Sequence, residues 1–341
     1  MKKLSFIILS LTCFIQSIAG QDQLIFSDTQ NDRIYVANLD GSGSPQVLVY
    51  NATGDTEGPT GLFYDAVNDL LYINNGNERE TYVISSDGMT PITGPASFLP
   101  NSNPPSGEHF AIQVDLPNNR YFFCTDNSNG IWVANTDGSG TSQAVITTGT
   151  SIDNGSGMDY NATTNTVVAG SNESNNIVSV DVSTGVSTLL FDNEDGVSGP
   201  RGLRIDKSGG RIFWAQHTGG NNGSGKIMVG NLDGSGTPSM LYDVPAPYLP
   251  YDVLVDERND HIYWSEFNRS SGSRVMKGNL DGSGSPVVLH NMSTTGYMRG
   301  LAFANISAIP TLSQWGLFLF GLLIVSLGLI TVFNLNSVKT V

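Results

Sequence analysis

Asp40, Asp137, Asp233 and Asp281 each head the tetrapeptide Asp-Gly-Ser-Gly, a composition that suits two kinds of chemistry. Aspartate and glycine populate calcium loops, and they also populate tight turns. Calcium takes roughly six to eight oxygens from a dense ligand series, whereas each copy here offers a single carboxylate. The copies follow apolar, strand-like runs, as in RIYVANLDGSG from Arg33 and KIMVGNLDGSG from Lys226. Turn chemistry is therefore the expectation, with glycine supplying the positive φ.

The rest of the catalytic inventory is thin. The four histidines are His109, His217, His261 and His290, and no two stand at the spacing of a metal site. There is no Gly-x-Ser-x-Gly elbow, phosphate loop or dinucleotide fingerprint. No metal and no cofactor are expected on this reading. A fold built from repeats can assemble a site from one residue per repeat, however, so candidate residues are better sought by position than by motif.

That search needs the elements that hold them. Taking Asp40, Asp87, Asp137, Thr184, Asp233 and Asp281 as equivalent gives a period of about 48 residues with strands throughout, the signature of a propeller with one repeat per blade. From Gly199 one blade reads as four strands: GPRGLRID, RIFWAQH, KIMVGNLDGSG and PSMLYD. First strands end at Asp65, Asp115, Asn161, Asp206 and Asp256, and a sixth ends at Ala304. The amino-terminal end opens on a second strand at Leu24, so the ring closes if the last strand joins the first three. The expected fold is all-β: six four-stranded blades, one of them shared by the two ends, with no free edges.

First strands line the central channel of such a ring. Their glycine position reads Gly61, Ala111, Gly157, Gly202, Asp252 and Gly300; the position before it reads Thr60, Phe110, Ser156, Arg201, Tyr251 and Arg299. Arg201, Asp252 and Arg299 thus converge from three successive blades, with Tyr251 among them. The expected arrangement is an ion-pair cluster, since a carboxylate in a crowded channel needs a cation. The alternative is a small anion clasped by two guanidinium groups. Glu108 and His109 lead into the same face.

Strand pairs such as HIYWSEF with VMKGNLDGSG, and LIFSDT with IYVANLDGSG, resemble the YWTD repeats of the LDL-receptor class B propeller. The likeness covers residues 24 to 304, and Tyr263-Trp264-Ser265-Glu266 comes nearest the motif. It implies a six-bladed propeller in which the motif packs and hydrogen-bonds the blades.

Both ends carry export signals. Lys2 and Lys3 precede an apolar run and Ser17-Ile18-Ala19, the pattern of a signal peptide over residues 1–20; cleavage after Ala19 or Gly20 is preferred to lipidation at Cys13. Trp315 to Phe333 is a nineteen-residue run without a charge, long enough to span a bilayer. Ahead of it, Ile309-Pro310-Thr311-Leu312-Ser313-Gln314-Trp315-Gly316 resembles the IPTL-CTERM sorting signal of Gram-negative bacteria. That resemblance implies export and processing by a sorting machinery, with the membrane engaged through the helix of about 315–333. The domains expected are a propeller over 21–306 and a sorting segment over 307–341. The protein is then exported, at the cell envelope or surface, or secreted after processing.

Composition agrees with an exported protein. The chain has 16 basic and 31 acidic residues, net −15; without Lys2 and Lys3 the balance is 14 against 31, about −17, which excludes nucleic acid as a partner. Cys124 is the sole cysteine after residue 20, so no internal disulfide forms there. Two functions remain. The favoured one is a non-catalytic module that binds a protein or glycan across the propeller face. The other is a metal-dependent hydrolase resembling the gluconolactonase and regucalcin group, which holds its metal with Glu, Asn and Asp from separate blades.

Overall fold

The computed structural model of the chain describes residues 23–50, 58–76, 80–85, 92–93, 107–126, 130–218, 224–268, 272–292 and 296–304. The expected signal peptide, the motif at 309–316 and the apolar run at 315–333 lie outside these residues. Among the described residues no helix is long and apolar enough to cross a membrane.

Six sheets form a six-bladed propeller. The inner strands are Pro59–Asp65, His109–Asp115, Gly155–Asn161, Pro200–Asp206, Leu249–Asp256 and Met298–Ala304. We call the face where they begin the upper face and the face where they end the lower. Met298–Ala304 pairs antiparallel with Gln23–Asp28, so the two ends of the domain share one blade. The blade read from Gly199 has strands Pro200–Asp206, Arg211–Thr218, Ser224–Asn231 and Ser239–Val244.

Two blades depart from four full strands. The sheet of Pro59–Asp65 has three described strands, and Ile92–Thr93 pairs with Gln46–Tyr50 of the preceding blade. In the next blade the fourth strand is only Gln143–Ala144. There the chain leaves early, and Thr148–Gly149 joins the following blade beside Val186–Phe191.

The core lies between neighbouring blades. Trp214 and Trp264 are fully buried and stack on Phe191 and Tyr242. Each indole also donates to a side chain two residues on: Trp214 to Gln216 and Trp264 to Glu266. Ser265 accepts from the Asp252 amide and donates to the Arg299 carbonyl of the adjacent blade. The Tyr-Trp-Ser-Glu segment is thus a packing and stitching device. Cys124 is fully buried, and burial pushes its thiol up, which leaves it inert.

The lower face is built by repetition. In the four Asp-Gly-Ser-Gly turns the aspartate accepts the amide of the serine, as Asp233 does from Ser235. The asparagine two residues earlier donates to that serine's carbonyl and hydroxyl. Carbonyls of the turns also meet the preceding blade, as Asn279 and Ser283 accept from the Tyr242 hydroxyl. The first glycine of each turn is left-handed, and a β-carbon at Gly234 would press on the Leu190 backbone of the preceding blade. At Gly282 and Gly41 the β-carbon would meet the side-chain ends of Leu241 and Leu289 instead. Turn geometry and blade spacing both require glycine there.

Candidate functional site

Near the upper face every inner strand slips register against its neighbour. Such β-bulges re-aim side chains locally, and Thr60, Phe110, Ser156, Arg201, Tyr251 and Arg299 sit in or beside them. The next ring, at Gly61, Gly157, Gly202 and Gly300, abuts the inner strand of the following blade so closely that any β-carbon would collide with it. Sterics, rather than ligand chemistry, fix the glycines.

The expected Arg201–Asp252–Arg299 ion-pair cluster is not formed. Asp252 turns down the channel and pairs with Arg204 at 3.3 Å. The same carboxylate accepts the amides of Leu301 at 2.9 Å and Val253 at 2.9 Å. The physical reason is period-two alternation: Arg204, two residues beyond Gly202, points into the channel at the level Asp252 reaches. Burial raises the Asp252 carboxyl above its ordinary value, opposed by Arg204 and the two amides.

Arg201 and Arg299 instead flank Tyr251. Their guanidinium carbons lie 5.6 and 5.2 Å from its ring centroid, within cation–π range. Among the described residues neither side chain has a carboxylate partner, and the buried Arg201 Nε has no hydrogen-bond acceptor. Tyr251 rests on Phe267, which meets Tyr297 edge-on at 5.4 Å. His217 lies beside them and donates Nε2–H to the Pro250 carbonyl at 2.7 Å. Burial, then the nearby Arg201, lowers its pKa to about 4, so it is neutral at pH 7.

Glu108 and His109, expected at the same face, are held by neighbouring residues. His109 is buried against Phe123, with ring centroids 4.5 Å apart, and its carbonyl accepts the Thr60 hydroxyl. Glu108 is tied through its backbone to Asp126.

The sequence reading missed the layer one step deeper: Phe63, Gln113, Asp159, Arg204, Leu254 and Ala302. These line a cavity of about 280 Å³ that opens toward the lower face. Asp159 accepts the amides of Tyr160 and Ile205, and burial raises its carboxyl while Arg204 opposes the shift. Counting two residues on from the glycine ring would have found all six. Among the described residues Asp159, Arg204 and Asp252 together plug the channel, with about 10 Å³ of open space in its upper part.

No family model matches the sequence, and no curated protein matches it. Solved structures do. A chain of the nidogen/laminin complex is 16% identical with a TM-score of 0.62, over 83% of this chain and 98% of that one. TolB from Acinetobacter baumannii is 12% identical, TM-score 0.55, over 84% and 67%. A protein described as a 6-phosphogluconolactonase from Bacteroides uniformis is 13% identical, TM-score 0.50, over 81% and 83%. The likeness is one of fold. It reaches the propeller of a protein–protein complex and that of a lactonase alike, so the choice between functions falls to the site.

Proposed function

We propose that this chain is an exported bacterial propeller whose upper face binds a protein or glycan without catalysis. The observation that carries the reading is the upper mouth itself. Among the described residues the upper part of the channel holds only about 10 Å³ of open space above the Asp159–Arg204–Asp252 plug, and the half-buried Arg201, Tyr297 and Arg299 stand at that end of the inner strands. Such groups dominate binding faces. The lactonase reading has less support. A metal site would need several oxygen donors at one channel level, and the glycine level carries a single carboxylate, already committed to Arg204.

The same proposal covers the ends of the chain. Residues 1–20 act as a signal peptide, 21–306 as the propeller, and 307–341 as a sorting segment with its membrane helix at about 315–333. Ile309 to Gly316 and the uncharged run after it support export followed by processing at the cell surface. Mass spectrometry of the mature protein from its host tests this, and an intact Val341 would favour a permanent anchor.

The binding function is tested with the purified protein on peptide and glycan arrays, beside assays of lactone hydrolysis with added Ca²⁺. Binding without turnover is the expected result. Lactone turnover abolished by chelator would overturn it.

A further inference from the structure

Below Asp252 the channel is a well with two unlike walls. Around the ring of inner strands the wall reads Phe63, Gln113, Asp159, Arg204, Leu254 and Ala302. Leu254, Ala302 and Phe63 come from three successive blades and make one side apolar. Gln113, Asp159 and Arg204 come from the other three and make the opposite side polar. The space is about 280 Å³, close to the size of pockets that hold small molecules. The turns around its opening, at 65–70, 115–120, 161–166, 206–211 and 256–261, all belong to the described residues.

The polar side holds a buried carboxylate with no cation in contact. Arg204 is ringed by acceptors: Asp252 and the carbonyls of Leu203 at 2.8 Å, Met158 at 3.4 Å and Leu301 at 3.4 Å. Asp159 forms no ion pair among the described residues and feels Arg204 and Lys207 only through space. Its two oxygens accept one amide each, from Tyr160 at 2.8 Å and Ile205 at 2.9 Å, which leaves each a further acceptor site. Beside it, the half-buried Gln113 side chain makes no hydrogen bond among the described residues. Lys207 stands exposed at the rim with Glu257. A carboxylate so placed calls for a cationic donor.

We propose that this well binds a small primary amine. The ammonium donates to Asp159 and Gln113, and the apolar body lies against Phe63, Leu254 and Ala302. An anion would be repelled by Asp159 and would find Arg204 already surrounded by acceptors. A metal ion such as calcium takes roughly six to eight oxygens, against one carboxylate and one amide oxygen here. The site lies on the opposite side of the plug from the upper face, and its ligand is independent of the one proposed there.

The test is calorimetric titration of the full chain in mild detergent with benzylamine, benzyl alcohol, benzyltrimethylammonium and benzoate. Benzylamine should bind roughly tenfold or more tightly than the other three, which lack the charge, the N–H donors or both. Asp159→Asn should weaken it roughly tenfold or more, and Gln113→Leu by a smaller factor. Asp243→Asn, which removes a carboxylate from an exposed position of an outer strand, should leave it unchanged. Affinity should also rise as the pH leaves the acid range, because burial holds Asp159 protonated above its ordinary value. Arg204 and Lys207 oppose that shift, and Asp252 lies beyond Arg204. A flat pH profile, or full affinity in both Asp159→Asn and Gln113→Leu, would overturn the assignment. Equal affinity for benzyltrimethylammonium would overturn the hydrogen-bonded ammonium, and equal affinity for benzyl alcohol or benzoate would overturn the cation. No binding by any probe would overturn the site itself.

Discussion

The lower rim and the upper mouth are made by the same six repeats and obey opposite rules. On the rim, four of the six blades give the same Asn-x-Asp-Gly-Ser-Gly turn, closed by the same side-chain hydrogen bonds each time. At the mouth, equivalent positions carry Thr60, Phe110, Ser156, Arg201, Tyr251 and Arg299. Two of these guanidinium groups have no carboxylate partner among the described residues. Where the repeat is kept, the residues close the turn; where it is broken, each residue finds its own use, Thr60 and Ser156 donating to neighbouring carbonyls and Arg201 and Arg299 flanking Tyr251.

The largest test of this contrast is the plug between the two faces. Arg204→Met leaves Asp159 and Asp252 buried without their cation, and should cost about 3–5 kcal/mol in urea unfolding. An unchanged midpoint would break the comparison, because the channel would then need no ionic core. On the rim, Gly234→Val forces a branched side chain into a left-handed backbone against Leu190. A loss of about 1–3 kcal/mol is expected; no loss would mean that these turns do not space the blades. At the mouth, Arg201→Ala and Arg299→Ala should each cost less than about 1 kcal/mol, since only a cation–π contact is removed. Thermal melts that fall as far as for Arg204→Met would make the arginines structural after all.

Acid should separate the regions by sign. Asp233 is held below its ordinary 3.8, chiefly by Ser235, so its contribution is present above that value and lost as pH falls through the folded one. Asp159 is raised above 3.8 by burial. Its contribution is present below 3.8 and lost as pH rises through its folded value. Melting curves between pH 3 and 8 for Asp233→Asn and Asp159→Asn should therefore diverge from wild type at opposite ends. The Asp233 variant should differ most at neutral pH and converge on wild type in acid. For Asp159, stability relative to wild type should improve as pH rises. Parallel curves would contradict both assignments.

Much of this was legible from spacing. The 48-residue period, the DGSG turns, the inner strands and the closure between Leu24 and Ala304 all follow from local chemistry: turn residues, β-branched runs and a missing first strand. The partner of Asp252 was within reach of the same reasoning: Arg204 and Asp159 are found by stepping two residues along each strand from the glycine ring. What left no mark was the register slip near the upper face, since a bulge does not disturb hydrophobic alternation. The two-residue strand Gln143–Ala144 left none either, because GTSQAVITTG offers the same polar and β-branched mixture as a longer strand.

The pairing of Gln23–Asp28 with Met298–Ala304 also sets a clock. Ser27 accepts the Gly300 amide across 273 residues of sequence, so the first strand made is among the last satisfied. In a chain delivered amino-terminus first, that strand waits as an open edge while five blades assemble behind it. Contacts this distant in sequence form slowly, and open edges recruit other chains. The seam is therefore where crowding or a stalled carboxy-terminus should first turn the protein toward dimers exchanging this strand.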